Sequence, residues 1–167
     1  MKPALFSAPE FPIVFTSFVN KAGTIGLSLL PILLVQLHAD VTTASWVMVA
    51  LKSSLLIGTL VGGWVSDHLG AKWTYLISFF LPACGLLVIP FTQNLILITV
   101  GAIVAQVGVS FFASSSRLML TRSVQSGRHR EALAWLRAGN NFGGIISYGL
   151  GTVLATLGTS VLFLIDS

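Results

Sequence analysis

Charged residues are scarce in this chain. Asp, Glu, Lys and Arg together make up 8% of its 167 residues, while hydrophobic residues make up 54% and the mean hydropathy is +0.91. Soluble domains carry about 25% charged residues. A water-soluble fold could not cover so much apolar surface, so the composition excludes that class. It predicts an all-α protein that crosses the lipid bilayer several times.

Cysteine is nearly absent as well, since Cys84 is the single one and lies in an apolar run. This excludes an intramolecular disulfide and a cysteine-based metal cluster. The histidines His38, His68 and His129 fall in predicted turns or loops, and no helix has a histidine–carboxylate metal spacing. The net charge of +4 comes from basic residues without interleaved aromatics, which argues against nucleic-acid binding. We therefore expect no enzyme, no metal and no catalytic residues.

Long apolar runs predict five spanning helices and the beginning of a sixth, because a span needs about 20 mostly apolar residues. We expect these helices at 11–37, 44–65, 73–90, 95–115 and 131–157, with a stub at 161–167. The polar, basic segment 117–130 predicts an interfacial or loop segment. The stub is too short to cross a bilayer of about 30 Å. We therefore expect an incomplete N-terminal piece of a larger membrane protein.

The distribution of basic residues predicts the orientation. Lys72 lies between the second and third spans, and five arginines lie between or beside the fourth and fifth: Arg117, Arg122, Arg128, Arg130 and Arg137. The opposite turns, at 38–40, 92–94 and 158–160, contain no Lys or Arg. Cytoplasmic flanks carry the excess of these residues. We expect a multi-pass protein of the plasma (inner) membrane with a cytoplasmic N-terminus.

A short polar stretch, Gly62–Trp73, separates two long apolar runs. Gly63 is expected where a helix end approaches another backbone, and Gly70 suits a left-handed turn. Asp67 and Lys72 hold charge outside the hydrocarbon layer. The stretch resembles the loop between helices 2 and 3 of the major facilitator superfamily of secondary transporters, whose pattern runs G-x-L-A-D-R-x-G-R-K-x-x-L.

Gly63, Asp67, Gly70 and Lys72 match that pattern, whereas His68, Ala71 and Tyr75 depart from it. The resemblance implies transport by alternating access between two six-helix halves, of which this chain covers most of the first. It also implies a gating role for the stretch. We add the hypothesis that Asp67 pairs with Arg117, at the cytoplasmic end of the fourth span.

Polar residues form a stripe near the middle of the first span. Asn20, Thr24 and Ser28 recur every four residues, and Lys21 lies beside them. A spacing of four keeps side chains on one helix face. A charge at the bilayer centre costs at least about 2.5–3.5 kcal/mol. We interpret the stripe as the lining of a central cavity, as the family resemblance also implies; alternatively, Lys21 reaches the interface and Asn20 bonds a neighbouring helix.

Three further polar residues are candidates for the same cavity. Lys52 lies near the middle of the second span, and no acidic residue lies deep in any span. Its partner is therefore in the missing half, water or an anionic substrate, or burial keeps the amine neutral. Gln106 either hydrogen-bonds a substrate or bonds another helix. Asn140 either reaches the cavity or caps the loop near Arg137.

The fifth span carries a ridge of small residues, spaced by four: Gly139, Gly143, Ser147 and Gly151. Such a ridge lets two helix backbones approach closely. It serves either packing within the bundle or a seam against the other half. The resemblance to family antiporters is partial here, because their helix 5 has a proline in a pattern G-x-x-x-G-P-x-x-G-G that this chain lacks.

The function implied by the resemblance is secondary active transport of small solutes, as proton-coupled efflux. It requires a proton gradient and no cofactor. The expected partners are the lipid bilayer, a small-molecule substrate and the missing C-terminal half. Two alternatives stay open: a non-transporting membrane fragment that binds a partner, and an importer of sugars, nutrients or organic anions.

Overall fold

The computed structural model of the chain describes residues 10–155, and every regular element in that range is helical. The helices are α1 Glu10–Ala22, α2 Ile25–Gln36, α3 Val41–His68, α4 Ala71–Val88, α5 Leu95–Ser123 and α6 His129–Ala155. α1 and α2 together form one passage, broken at Gly23 and Thr24. Four segments are each long and apolar enough to span a membrane: this passage, α3, α4 with its 3-10 extension, and α5. The predicted all-α membrane fold is confirmed.

α6 is less apolar than these four passages. It covers most of the predicted fifth span, 131–157, but its first half carries two arginines, a glutamate and two asparagines. By length and composition it is not among the four candidate spans found in residues 10–155. The predicted stub at 161–167 lies outside the described residues.

α5 is longer than expected, because the segment predicted to be interfacial or a loop from residue 117 is helical up to Ser123, which excludes the loop there. Leu120 is fully buried in an apolar cluster with Ile13 and Val124, which extends the helix beyond the hydrophobic run. Thr121 and Ser123 donate their hydroxyl protons to carbonyls one turn earlier. The polar composition therefore describes one exposed helix face rather than a loop.

α3 also extends past its predicted bounds, 44–65, at both ends. Asp40 caps its N-terminus, with the carboxylate accepting hydrogen bonds from the Thr43 hydroxyl and from the Thr43 backbone N–H, at 3.2 Å. These bonds lower the pKa of Asp40. At the other end the helix continues to His68, so the polar stretch begins inside a helix.

Small residues bring α4 and α5 into backbone contact. A Cβ atom on Gly85 would meet the Gly101 carbonyl oxygen and lie 2.7 Å from the Ala105 nitrogen. A Cβ atom on Gly108 would collide with the ring of Pro82, which lies inside α4. Glycine is required at both positions because the neighbouring atoms belong to backbone or to a rigid ring.

A second close contact joins α6 to the first passage. A Cβ atom on Gly139 would lie 3.1 Å from the Val14 oxygen, one on Gly143 would lie 3.1 Å from the Ala22 nitrogen, and Gly151 faces Ile25. The residue numbers rise together, so α6 runs parallel to α1 and α2. Ser147 is buried in the same ridge. The ridge therefore packs against the first passage within the bundle, which is one of its two predicted roles.

Two apolar clusters lie towards opposite ends of the bundle. The larger cluster contains residues of four helices, α2, α3, α4 and α5, and lies near the turns at 37–40 and 92–94. It includes Leu30, Leu34, Leu51, Leu86 and Ile98. The smaller joins α1, α5 and α6 at the other end and includes Leu120 and Leu136. The polar residues in the middle of the helices therefore lie between two packed apolar regions.

The α4–α5 contact gives a first test. We expect Gly85→Ala to lower the free energy of unfolding by about 1–3 kcal/mol. The added methyl group would collide with backbone atoms of α5, which cannot move aside as a flexible side chain could. The measurement is the unfolding midpoint of the chain in detergent micelles, followed by circular dichroism. Gly149→Ala is the matched control, since that glycine also lies in a helix and nothing lies within 4 Å of its added Cβ. Equal stability of the two variants would contradict the contact.

Candidate functional site

A cavity of about 350 Å³ opens between the first passage and α3, α5 and α6. It brings together five of the residues predicted to line a cavity: Lys21, Thr24, Ser28, Lys52 and Gln106. The other lining residues are mostly apolar: Leu27, Met48, Leu55, Val109 and Tyr148. Residues from four passages of the chain thus converge on one polar site in the middle of an apolar bundle.

The break between α1 and α2 lies at the cavity wall. The Thr24 hydroxyl donates a hydrogen bond of 2.8 Å to the Lys21 carbonyl oxygen, and the Ser28 hydroxyl donates one of 3.1 Å to the Thr24 carbonyl oxygen. Both hydroxyl protons are thereby engaged with backbone, which leaves the oxygens as acceptors. Lys21 lies in the last turn of α1, where the helix dipole favours a positive charge.

Glycines of α6 make room for the Lys21 side chain. A Cβ atom on Gly143 would lie 3.0 Å from the Lys21 Cβ, and one on Gly144 would lie 4.0 Å from its Cε. The aliphatic stem therefore runs along the α6 surface. Tyr148, one turn after Gly144, lies on the cavity wall beyond it. The ridge thus positions a cationic group as well as packing two helices.

On the opposite wall, α3 and α5 bring Lys52 and Gln106 to the same space. The Ser110 hydroxyl lies within hydrogen-bond distance of two backbone carbonyl oxygens as a donor, that of Gln106 at 2.9 Å and that of Leu55 in α3 at 3.3 Å. A Cβ atom on Gly58 would lie 3.0 Å from the Ser110 Cβ, so the two helices are in close contact one turn away from the cavity. This contact fixes the register that places Lys52 across from Gln106.

The cavity is positively charged. The carboxylates within residues 10–155 are Glu10, Asp40, Asp67 and Glu131, and none of them lines it. The two ion pairs within the same range, both at Arg128, do not include a cavity lysine. Two ammonium groups therefore face one polar space without an acidic neighbour from these helices. Such an arrangement is costly in an apolar bundle unless water or a ligand compensates it.

Asn20 and Asn140 are not brought to this cavity, which corrects their predicted place. Asn20 lines a separate cavity of about 160 Å³ together with Phe79 and Pro82, because adjacent helical residues point about 100° apart. The side-chain oxygen of Asn140 accepts a hydrogen bond of 2.8 Å from Ser17. This bond ties α6 to α1 and accounts for the polar face that the two helices share.

The polar stretch at 62–73 folds as a helix end followed by a tight turn. Gly70 has a φ of 89°, so the predicted requirement for glycine at this turn is confirmed. Gly63 has nothing within 4 Å of an added Cβ, whereas one on Gly62 would lie 3.1 Å from the Phe111 Cα. The close backbone approach expected at Gly63 is therefore made by Gly62. Asp67 lies in the last turn of α3 and Lys72 in the first turn of α4.

Asp67 and Arg117 do not form an ion pair with each other in this structure. The ion pairs within residues 10–155 instead join Arg128 to Glu10 at 3.4 Å and to Glu131 at 3.2 Å. Glu10 is buried, so this group ties the start of α1 to the start of α6. The hydrogen bond to Glu131 and the charge of Glu10 raise the pKa of Arg128.

The family assignment rests on a comparison over nearly the whole chain. The family model described as Major Facilitator Superfamily matches residues 11–167. The chain belongs to the Major Facilitator Superfamily. Comparison with curated proteins and with solved structures gives no match. Membership makes this chain a multi-pass membrane protein of a class that transports small solutes.

Sequence reasoning missed the apolar lining and Tyr148. A signal for them was available, because Met48 precedes Lys52 by four residues and Leu55 and Val109 follow Lys52 and Gln106 by three. Residues at those spacings share a helix face. Tyr148 had a weaker signal, since it follows Gly144 by four residues beside the small-residue ridge.

The water accessibility of the cavity is testable by cysteine labelling in a Cys84→Ser background, since Cys84 is exposed. We expect Lys52→Cys and Gln106→Cys to react with a water-soluble methanethiosulfonate reagent. The control is Phe80→Cys on α4, at a position that is 71% exposed and lies outside the cavity. Reaction of the control cysteine should be at least about tenfold slower. Its thiol would face lipid, where apolar surroundings keep it protonated, and the thiolate is the form that reacts. Equally slow reaction at all three positions would rule out an aqueous cavity.

Proposed function

We propose that this chain forms the N-terminal half of a secondary active transporter that moves small solutes by alternating access. The cavity carries the proposal, because a polar site surrounded by helices in the middle of an apolar bundle suits a solute in transit. Lys52 and Tyr148 line it yet remain exposed, so one side of the site is unfinished within residues 10–155. A C-terminal half packed on that side would complete it.

The gating role of the polar stretch belongs to the same proposal. Gly70 turns the chain sharply between α3 and α4, and Asp67 and Lys72 flank that turn. Arg117 is exposed on α5. Since Asp67 and Arg117 are not joined to each other, we propose that they contact the second half, where charges at a seam between two states bias one state over the other.

Proton-coupled efflux is the form of transport that we propose. The ionisable residues that line the cavity from the described helices are Lys21, Lys52 and Tyr148. A proton-coupled cycle would therefore use one of these three groups, unless the other half supplies a carboxylate. The second candidate is import of organic anions. Its solute class, although not its direction, is favoured by Lys21 and Lys52, which have no acidic partner in the cavity within residues 10–155.

Membrane vesicles from cells that express the gene encoding this chain test the transport proposal. Everted and right-side-out vesicles would receive an imposed pH gradient and a panel of organic anions, organic cations and sugars. A trapped pH-sensitive dye would follow protons, and radiolabel would follow solute. Uptake into acid-loaded everted vesicles, abolished by a protonophore, is the result expected for proton-coupled efflux.

A pair of variants links that flux to the cavity. We expect Val109→Trp to lower the initial rate at least about tenfold, because the indole fills the cavity and displaces the solute from its contacts. Val100→Trp lies on the same helix at an exposed position outside the cavity, and should retain the rate within about twofold. Solute uptake without proton movement would refute the coupling alone. Absence of any solute movement in either vesicle orientation would refute transport.

A further inference from the structure

We propose that the cavity binds small organic anions, with their acidic groups held by Lys21 and Lys52. This inference rests on the proposed transport function and names its substrate class. It starts from a charge imbalance: two ammonium groups line one space, and the carboxylates within residues 10–155 all lie elsewhere.

The imbalance discriminates between classes of solute. A cationic solute would bring a third positive charge next to Lys21 and Lys52, and the low dielectric of the bundle would strengthen the repulsion. A neutral solute would leave both ammonium groups without a counter-charge. A monoanion compensates one of them and a dianion compensates both, so binding of an anion is favoured over either alternative of the same size.

The hydrogen-bonding groups of the cavity point to the same class. The hydroxyl protons of Thr24 and Ser28 are already donated to backbone oxygens. The hydrogen-bond donors left for a ligand are chiefly the two ammonium groups, with three N–H bonds each, and the side-chain amide of Gln106. A site rich in charged donors suits acids such as carboxylates, which accept hydrogen bonds and donate none when ionised.

The apolar lining indicates that the anion has a carbon skeleton. Leu27, Met48, Leu55 and Val109 line the same cavity. They suit the hydrocarbon part of an organic acid better than the hydration shell of an inorganic ion. The volume of about 350 Å³ is large enough for a small organic molecule.

Four probes with the same four-carbon skeleton isolate the effect of charge: succinate, butyrate, 1,4-butanediol and putrescine. Binding of each radiolabelled probe to the chain in lipid nanodiscs would be measured by equilibrium dialysis. We expect succinate to bind most tightly, butyrate less tightly, and butanediol and putrescine at least about tenfold more weakly than succinate, as expected for the loss of charged hydrogen bonds.

Matched variants assign that binding to the two lysines. Lys21→Met and Lys52→Met should each weaken succinate binding about ten- to hundredfold, because each removes a charged hydrogen-bond donor and retains most of the side-chain volume. Arg122→Met is the control, since it removes one positive charge from an exposed position outside the cavity. Each variant would first be shown to unfold at the midpoint of the unsubstituted chain, and Lys21→Gln and Lys52→Gln would replace any that does not.

The outcomes separate this inference from the proposed function. Preferential binding of putrescine or butanediol would overturn the anion class while transport could still stand. Succinate binding that Lys21→Met, Lys52→Met and Arg122→Met all leave unchanged would also overturn it. Failure of all four probes to bind, with solute flux seen in vesicles, refutes the anion class alone. Failure of binding together with absence of flux refutes both.

Discussion

The contact between α6 and the first passage determines how the rest of this site is built. At Gly143 the α6 backbone lies so close to Phe18 and Ala22 that no side chain fits between them. The contact sets the parallel register of the two helices, and this register directs the Lys21 stem past Gly144 towards Tyr148. Because helices in lipid gain little from burying apolar surface, small residues at the interface are a main source of such contacts. The position of a charged group therefore depends on residues that carry no functional atoms.

The second constraint is that charge in the bundle has to be compensated. Arg128 is compensated by two carboxylates, Glu10 and Glu131. These three residues lie at helix ends and tie α1 to α6. In the cavity the opposite holds, since Lys21 and Lys52 meet no acid from the described helices. Replacing unpaired charges by apolar residues commonly stabilises a protein, so their presence near the middle of the first passage and of α3 is typical of function rather than of stability.

Features that depend on residue type were predicted well from the sequence. Features that depend on which neighbour a helix face meets were predicted less well. The all-α fold and the turn at Gly70 follow from apolar runs and glycine conformation. The convergence of Lys21, Lys52 and Gln106 was expected because the polar spacing was combined with the cavity that the family resemblance implies. Asn20 was misplaced because the residue next to Lys21 points to another face of α1, and periodicity alone does not say which neighbour each face meets. Gly62 rather than Gly63 makes the close approach for the same reason. The end of α5 was missed because burial of Leu120 extends a helix beyond its apolar run.

The distribution of exposure favours a transporter over a membrane fragment that only binds a partner. A surface that serves only to bind another protein within the bilayer needs complementary shape and small or weakly polar residues. The open side of this cavity instead has Lys52 and Tyr148 next to a space of about 350 Å³. A partner that filled this space would have to bury two ammonium groups, whereas a partner that only closed it would leave room for a solute. The second arrangement retains the hydration or the counter-ion that the charges require, and it is the one that alternating access uses.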